Sequence, residues 1–331
     1  MDIPPALQAT ALTSLARAGA RLYQKLFSPP DGNAELAELG RYLRTLTLDS
    51  GVELHVQVVA KEFPVPWAML YAGDAAAGAT LSWDGFLGFR HVIEQLPLMN
   101  SFAAVSQQIA SDRPELAVST TMNGTIDTTM RIDVVAGQQE FWTVAARNRP
   151  RLRLTRRDGR DQLISALSGT GCDEQILYFY CHATAPSLAV PGGLDAASLG
   201  LSDATVSLAD LSLDASTDVK LAGNPLVFIN ACESAELSPL FYEVFVPHFM
   251  AKQARGVIGT ECRTPAVFAA AWGRRFFERL LDGQSVGDAV LELRREFLLE
   301  HRNPLGLLYG VHCDGDTSIR PALAETASVQ S

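Results

Sequence analysis

The sequence predicts an α/β protein in which a mostly parallel sheet is covered by helices on both faces. Three largely apolar runs of strand length, at 176–180, 225–229 and 255–259, carry this prediction, because a strand with one solvated face would show a polar residue at every second position. Helices are predicted after the third run: Thr264 with Pro265 is typical of a helix start, and a capping box opens the next helix. Strands that alternate with helices indicate layered α/β architecture.

The amino-terminal half predicts shorter elements in a different order. We expect helices over 7–27 and 34–46, strands over 52–59 and 86–93, a short apolar element after the prolines of 64–66, a helix over 103–109, and strands near Leu116 and Phe141. The first helix carries an apolar stripe and a separate basic stripe of Arg17, Arg21 and Lys25. Such a basic stripe either contacts an anionic surface or, as is commoner, is the solvated face of a packed helix.

Seven arginines crowd the segment 147–160. Leu152 and Leu154 alternate with two of them, so part of this segment is predicted to be a strand with one solvated face. An exposed edge strand protected by charge is favoured over a surface that binds nucleic acid or an acidic partner. A boundary is placed here, giving an α/β subdomain over 1–150, a second subdomain over 151–325 and a tail over 326–331.

The carboxyl half continues with further predicted elements. We expect a helix over 161–167, a long acidic loop over 194–220 that acts as a lid or is simply solvated, and a last strand over 305–311.

Composition excludes several classes of protein. The chain has 331 residues, 47% hydrophobic and 19% charged, which is typical of a globular protein and not of a disordered one. No apolar stretch is long enough to span a membrane, and the net charge of -10 argues against a nucleic-acid partner. The five cysteines show no repeating spacing, and the first residues lack a secretory pattern, so we expect reduced thiols and a cytoplasmic protein without a disulfide framework.

Reactive side chains follow the predicted strands. His182 follows the first run and Cys232 the second, and the carboxyl ends of parallel strands meet at one edge of a sheet. A nearby imidazole converts a thiol to a thiolate and later protonates a leaving group, so this pair predicts nucleophilic catalysis. Cys181 alternates to the opposite face and is predicted to be core, as are Cys262 and Cys313.

Two other chemistries are less favoured. A zinc site built from His182, Cys232, Cys262 and His312 or Cys313 lacks the usual paired spacing of ligands. A phosphate-binding enzyme is disfavoured because neither glycine-rich phosphate motif occurs.

Several blocks of the sequence together resemble the CHAT domain, a caspase-like protease module often found with tetratricopeptide repeats. The blocks that carry the resemblance are 63–71, 180–183, 225–235, 255–260 and 303–309. It implies a caspase-like fold preceded by a smaller, pseudo-protease-like α/β subdomain, and a Cys-His dyad with Cys232 as nucleophile and His182 as base. It also implies an oxyanion hole formed by the backbone N–H groups of Ala183 and Cys232, although many relatives have glycine where this chain has Ala183.

The resemblance further implies a protein substrate, a regulatory or recruiting protein, and a role in bacterial defence in which an effector such as a gasdermin-like pore former is cleaved. Candidate pocket residues are Asn230, which stands at the pocket glutamine of caspases, together with Glu233, Glu261 and Asp195; an acid there would favour a basic substrate residue. No cofactor, metal, membrane or nucleic acid is expected. The alternative is a catalytically silent interaction module with the same fold.

Overall fold

The computed structural model describes residues 1–28, 32–49, 51–61, 65–98, 106–169, 171–184, 197–231 and 240–320, and of residues 240–244 it describes the backbone alone. Its α-helices are α1 Pro5–Phe27, α2 Ala34–Leu48, α3 Leu87–Arg90, α4 Thr125–Met130, α5 Val134–Asn148, α6 Arg160–Ser168, α7 Leu208–Asp214, α8 Leu240–Ala251, α9 Ala266–Leu281 and α10 Val286–His301. Short 3-10 turns cover Trp67–Met69, Trp83–Gly85 and Pro304–Leu308. None of the helices in these ranges is long and apolar enough to cross a membrane.

The strands are β1 His55–Ala60, β2 Val92–Pro97, β3 Gln108–Ile109, β4 Leu116–Met122, β5 Leu152–Arg156, β6 Ile176–Thr184, β7 Ser198–Gly200, β8 Thr205–Ser207, β9 Leu226–Ala231, β10 Gly256–Thr260, β11 Tyr309–His312 and β12 Ser318–Ile319. The main sheet has the order β11-β10-β9-β6-β4-β5, and the β7–β8 hairpin is attached to the end of β6. Pairing along this path is parallel except between β10 and β11. The predicted α/β architecture with a mostly parallel sheet is therefore confirmed.

Helices cover both faces of the sheet, which explains the unbroken apolar runs. One core contains Tyr178 and Phe228 of the sheet together with Trp142 of α5 and Trp272 of α9. The core on the opposite face contains the alternate strand residues, such as Phe179, with side chains of α6, α7 and α8. Smaller clusters pack α1 and α2 against the segment 65–93.

Five sequence predictions are wrong in part. The strand predicted over 305–311 begins only at Tyr309, because Pro304–Leu308 forms a 3-10 turn. The segment predicted as a strand over 86–93 turns as α3 before β2 begins, and the strand predicted near Phe141 is the middle of α5. The loop predicted over 194–220 contains β7, β8 and α7 beyond residue 196. Of the helix predicted over 103–109, residues 103–105 lie outside the described ranges, and 108–109 form β3.

The sequence predicted a subdomain boundary after residue 150, but the main sheet already begins before that residue. Strand β4 lies in the chain before that residue and is nevertheless paired with β5 on one side and β6 on the other. The small β1–β2 sheet lies wholly within the amino-terminal segment.

The arginine run is confirmed as an edge strand with its flanks. Strand β5 ends the order of the sheet, and most of the arginines around it are neutralised within the fold. The pairs are Arg149–Asp282 at 2.6 Å, Arg153–Asp173 at 2.6 Å, Arg157–Glu174 at 2.5 Å and Arg160–Asp214 at 2.8 Å. These charges serve the fold and are therefore poor candidates for a partner surface.

Candidate active site

The register between β6 and β9 defines the centre of the site. These strands are neighbours and parallel, and Cys181 stands directly opposite Ala231 at their carboxyl ends. The next residue on β6 is His182, and the next residue along the chain from Ala231 is Cys232, which lies outside the described residues together with Glu233 and Asp195. The structure therefore places one member of the expected dyad and the attachment point of the other.

His182 is half-buried at the point where β6 leaves the parallel sheet. Tyr178 and Tyr180 belong to the core on the α9 side, whereas Cys181 belongs to the opposite core, so strand alternation puts His182 on the α9 side of the sheet. The Tyr180 hydroxyl donates to the Ala266 carbonyl at 2.8 Å, which fixes the strand beneath this position. Ala183, the expected oxyanion donor, is buried and paired with Leu199 of β7.

A cavity of about 390 Å³ opens beside His182. Its walls are the end of β6, the β7–β8 hairpin and Asn123, the residue that follows β4. Asn123 Nδ2 donates to the Gly200 carbonyl at 2.9 Å, and Ser202 Oγ bonds to the backbone on either side of Asn123. The hairpin is thus tied to the end of β4, and His182 is one of the residues that line this polar crevice.

Sequence reasoning missed Asn123 as part of the site. Asn123 Oδ1 accepts from the Thr125 N–H at 2.9 Å and from the Thr125 hydroxyl at 2.7 Å, while its own N–H donates to the Tyr180 carbonyl. The sequence signal for this turn is asparagine followed by Gly124 at the carboxyl end of a buried strand, a typical Asx turn. Its partner Gly200 is distant in sequence, so the hairpin contact carried no local signal.

Asn230, predicted to line a substrate pocket, is buried in the fold and does not line the cavity beside His182. Its side chain is fully buried, and Nδ2 donates to the Tyr178 hydroxyl at 3.1 Å and to the Ala269 carbonyl at 2.7 Å. Oδ1 accepts from the Tyr309 hydroxyl at 2.8 Å. The expectation fails because these three bonds make Asn230 the polar link between β9, β6, β11 and α9, beneath the site and not within it.

Glu261 also departs from its expected role. It follows β10, but its carboxylate is buried against Gly310 of β11 and does not line the cavity beside His182. Burial raises the pKa of Glu261 to about 7, and the charge of Arg294 only partly counteracts this effect. Gln95 Nε2 contacts Oε1 at 3.5 Å, and Oε2 has no hydrogen-bond partner among the described residues.

The other thiols behave as packing groups. Cys181 and Cys313 are fully buried, as predicted, and burial raises the pKa of Cys313 far above its usual range. Cys262 is only half-buried, and burial raises its pKa as well, so it is not an activated thiol. In the described part of the chain, no three histidine, cysteine or acidic side chains converge as metal ligands.

The sequence is similar to a protein family and to a known protein. The family model of the CHAT domain matches residues 16–318. A probable protease of Vitiosangium sp. (strain GDMCC 1.1324) is 29% identical over 259 residues, which cover 71% of this chain and 31% of that protein. This chain therefore spans about a third of the length of that relative.

Solved structures show the same fold. Gingipain R, an Arg-specific cysteine proteinase, superposes with a TM-score of 0.52 at 9% identity, covering 95% of this chain and 76% of gingipain. Separase of Saccharomyces cerevisiae, solved with securin, gives a TM-score of 0.45 at 14% identity, covering 80% of this chain and 15% of separase. The likeness to gingipain confirms the caspase-like α/β fold expected from the sequence.

Proposed function

Because the chain belongs to the CHAT domain family and has the fold of a cysteine proteinase, we propose that it is a cysteine endopeptidase with Cys232 as nucleophile and His182 as general base. The protease-named relative supports the reaction class. The substrate class that follows is a protein, cut at one or a few sites.

The observation that carries this proposal is the pairing of Cys181 with Ala231. Adjacent strands lie about 4.8 Å apart, and consecutive Cα atoms about 3.8 Å apart. His182 and Cys232 each follow a member of this directly opposed pair, so covalent geometry alone keeps the two residues near each other at the edge of the sheet. The cavity beside His182 offers room for a substrate segment there.

The proposed reaction proceeds through an acyl-enzyme. His182 accepts the proton of the Cys232 thiol, and the thiolate attacks the carbonyl carbon of the scissile peptide bond. Backbone N–H groups of Cys232 and Ala183 stabilise the negative oxygen of the tetrahedral intermediate. The C–N bond breaks as His182 returns its proton to the leaving amine, and water, deprotonated by His182, then hydrolyses the thioester.

A role in bacterial defence belongs to the same proposal. Cleavage of one protein at a fixed position suits the release of an effector, such as a gasdermin-like pore former. A candidate effector encoded beside this chain would be cut by the wild type at one bond and left intact by the Cys232→Ala variant.

The dyad is tested by the reactivity of Cys232 towards iodoacetamide, followed by mass spectrometry across pH. An imidazole partner lowers the pKa of a thiol, so alkylation of Cys232 should reach half its maximal rate well below the ordinary pKa of about 8.5. In His182→Ala the midpoint should return to about 8.5. Identical profiles in both proteins would contradict the dyad and favour the silent interaction module.

Cleavage is tested separately by counting new amino termini in a denatured protein mixture. Cys232→Ala and His182→Ala should abolish the new termini, whereas Cys262→Ala, which removes a half-buried thiol with a raised pKa, should retain them. Retained cleavage by Cys232→Ala excludes it as the nucleophile. Circular dichroism shows whether each variant is folded.

A further inference from the structure

A second surface of interest lies between the two amino-terminal helices. Helices α1 and α2 approach closely because Gly40 has no side chain: a Cβ there would lie 2.4 Å from Cβ of Phe27. The Tyr23 hydroxyl donates to the Gly40 carbonyl at 2.5 Å and fixes the crossing. An open cleft of about 920 Å³ adjoins this contact and is lined by both helices and by the segment 73–77.

Four arginines line this cleft, which we name the α1–α2 cleft. Arg17 and Arg21 come from α1, and Arg41 and Arg44 come from α2. All four are exposed, and among the described residues none of their guanidinium groups has an ion pair or a hydrogen bond. Arg44 alone has a ring contact, 5.8 Å from the centroid of Tyr23.

These arginines differ from the run at 147–160. There, Arg153 and Arg160 each form ion pairs with carboxylates, and these pairs stabilise the edge of the sheet. In the α1–α2 cleft the acidic side chain in the lining is Asp74, whose carboxylate accepts from the Ala76 N–H at 2.9 Å. Four guanidinium groups around one cleft repel each other, and a bound anion would remove that repulsion.

We propose that the α1–α2 cleft binds an acidic segment of a protein partner. Planar guanidinium groups bind carboxylates with two parallel hydrogen bonds, and Tyr23 and Phe27 supply an apolar floor for the segment's carbon atoms. The volume lies near the upper end of the range for small-molecule sites, about 300–1,000 Å³, and accommodates several residues of an extended chain.

A polypeptide suits the surface better than a nucleic acid does. The chain carries a net charge of -10, so a long polyanion that extends beyond the cleft meets a surface of its own sign. A short acidic segment places its charge only where the arginines are. This site is separate from the proposed dyad, and its binding is measured without any cleavage.

The test uses the full chain and a fluorescein-labelled, glutamate-rich peptide of about 12 residues, followed by fluorescence anisotropy. Binding should be saturable and weaken by roughly tenfold between about 50 and 300 mM salt, since exposed charges are screened. The double variant Arg21→Glu, Arg41→Glu should bind at least about tenfold more weakly than wild type, the loss expected when charge-assisted bonds to two arginines are removed. Absence of saturable binding by the wild type overturns the proposal.

The matched control is Arg131→Glu, Arg147→Glu, which changes the net charge by the same amount at exposed positions outside the cleft. Its affinity should stay within about twofold of wild type, because neither residue lines the cleft and exposed charges are screened by salt. Equal loss in both double variants attributes binding to overall charge and overturns the proposal. So does tighter binding of a single-stranded oligonucleotide of the same length, or of phosphatidylserine vesicles, at the same arginines.

Discussion

Two polar side chains at neighbouring strand ends, Asn230 and Glu261, are both buried with opposite consequences. Asn230 has three hydrogen bonds, so its desolvation is compensated and its amide links four elements. Glu261 has one long contact, to Gln95, and a raised pKa of about 7. A buried carboxylate with few partners favours its neutral form, which makes the stability of the fold depend on pH.

Glu261→Gln should remove a pH-dependent loss of stability. The folded pKa of about 7 lies above the unfolded value of 4.5, so between these values the folded protein binds more protons. Stability contributed by the protonated carboxyl is therefore full below pH 4.5 and falls by roughly 3 kcal/mol as pH rises to 7. Urea unfolding at several pH values should show that the free energy of unfolding of the variant rises relative to that of the wild type between pH 4.5 and 7.

The comparison with wild type is essential because buried histidines act in the opposite direction. Burial lowers the pKa of His91, His248 and His312 to about 4, so each makes stability rise with pH between about 4 and 6.5. These histidines are present in both proteins and cancel in the difference. Parallel stability profiles of wild type and variant would show that Glu261 is already ionised in the fold at low pH.

At the scale of the element, the position of α9 on the sheet depends on a glycine. Gly273 faces the buried polar group beneath the site: a Cβ there would lie 2.7 Å from Asn230 Nδ2 and 2.9 Å from the Tyr178 hydroxyl. Both atoms are held in hydrogen bonds and have little freedom to move. The helix therefore rests on the sheet at a distance that only glycine permits.

Gly273→Ala should destabilise the protein although alanine is the better helix former. Overpacking costs about 1–3 kcal/mol, against a gain of about 1 kcal/mol in helix propensity. Gly137 of α5 is the matched control, because a Cβ there meets no atom within 4 Å, so Gly137→Ala should stabilise by up to about 1 kcal/mol. Thermal unfolding of the two variants tests this, and equal shifts would show that α9 can move away from the sheet.

The elements also show what the sequence could and could not predict. The runs that became β6, β9 and β10 are readable because burial on both faces leaves them apolar throughout. A strand was predicted near Phe141, but the segment is helical, and Trp142 next to it packs on Phe277 of α9, a tertiary contact that outweighs local preference.

The residues around the candidate site also differ in how far the sequence could predict them. The sequence could nominate His182 because it follows an apolar run, whereas the β7–β8 hairpin consists of strands of three residues each and leaves almost no periodic signal. Asn123 was missed, and Asn230 was assigned to a pocket, because their hydrogen-bond partners lie in distant parts of the chain and leave no local signal.

At the scale of the whole molecule, α10 joins the amino-terminal segment to the main sheet. Arg294 is buried and donates to the carbonyls of Gly88 at 3.3 Å, Gly306 at 3.2 Å and Tyr309 at 2.6 Å. Arg295 donates to the carbonyls of Phe89 and Arg90. One turn of α10 thus contacts both α3 of the amino-terminal segment and β11 of the main sheet. We therefore expect the amino-terminal segment and the main sheet to unfold together.

Arg294→Met should uncouple these two parts. The variant removes the buried donor that Arg294 supplies to the Gly88, Gly306 and Tyr309 carbonyls, which should cost about 3–5 kcal/mol. Limited proteolysis should then cut the amino-terminal segment before the main sheet, and urea unfolding should show two transitions where the wild type shows one. Arg274→Met is the control, because its exposed pair with Glu278, at 3.3 Å on one helix, contributes under about 1 kcal/mol. If Arg294→Met still unfolds in one transition with uniform proteolysis, apolar packing alone couples the two parts, and the buried guanidinium contributes stability without linking them.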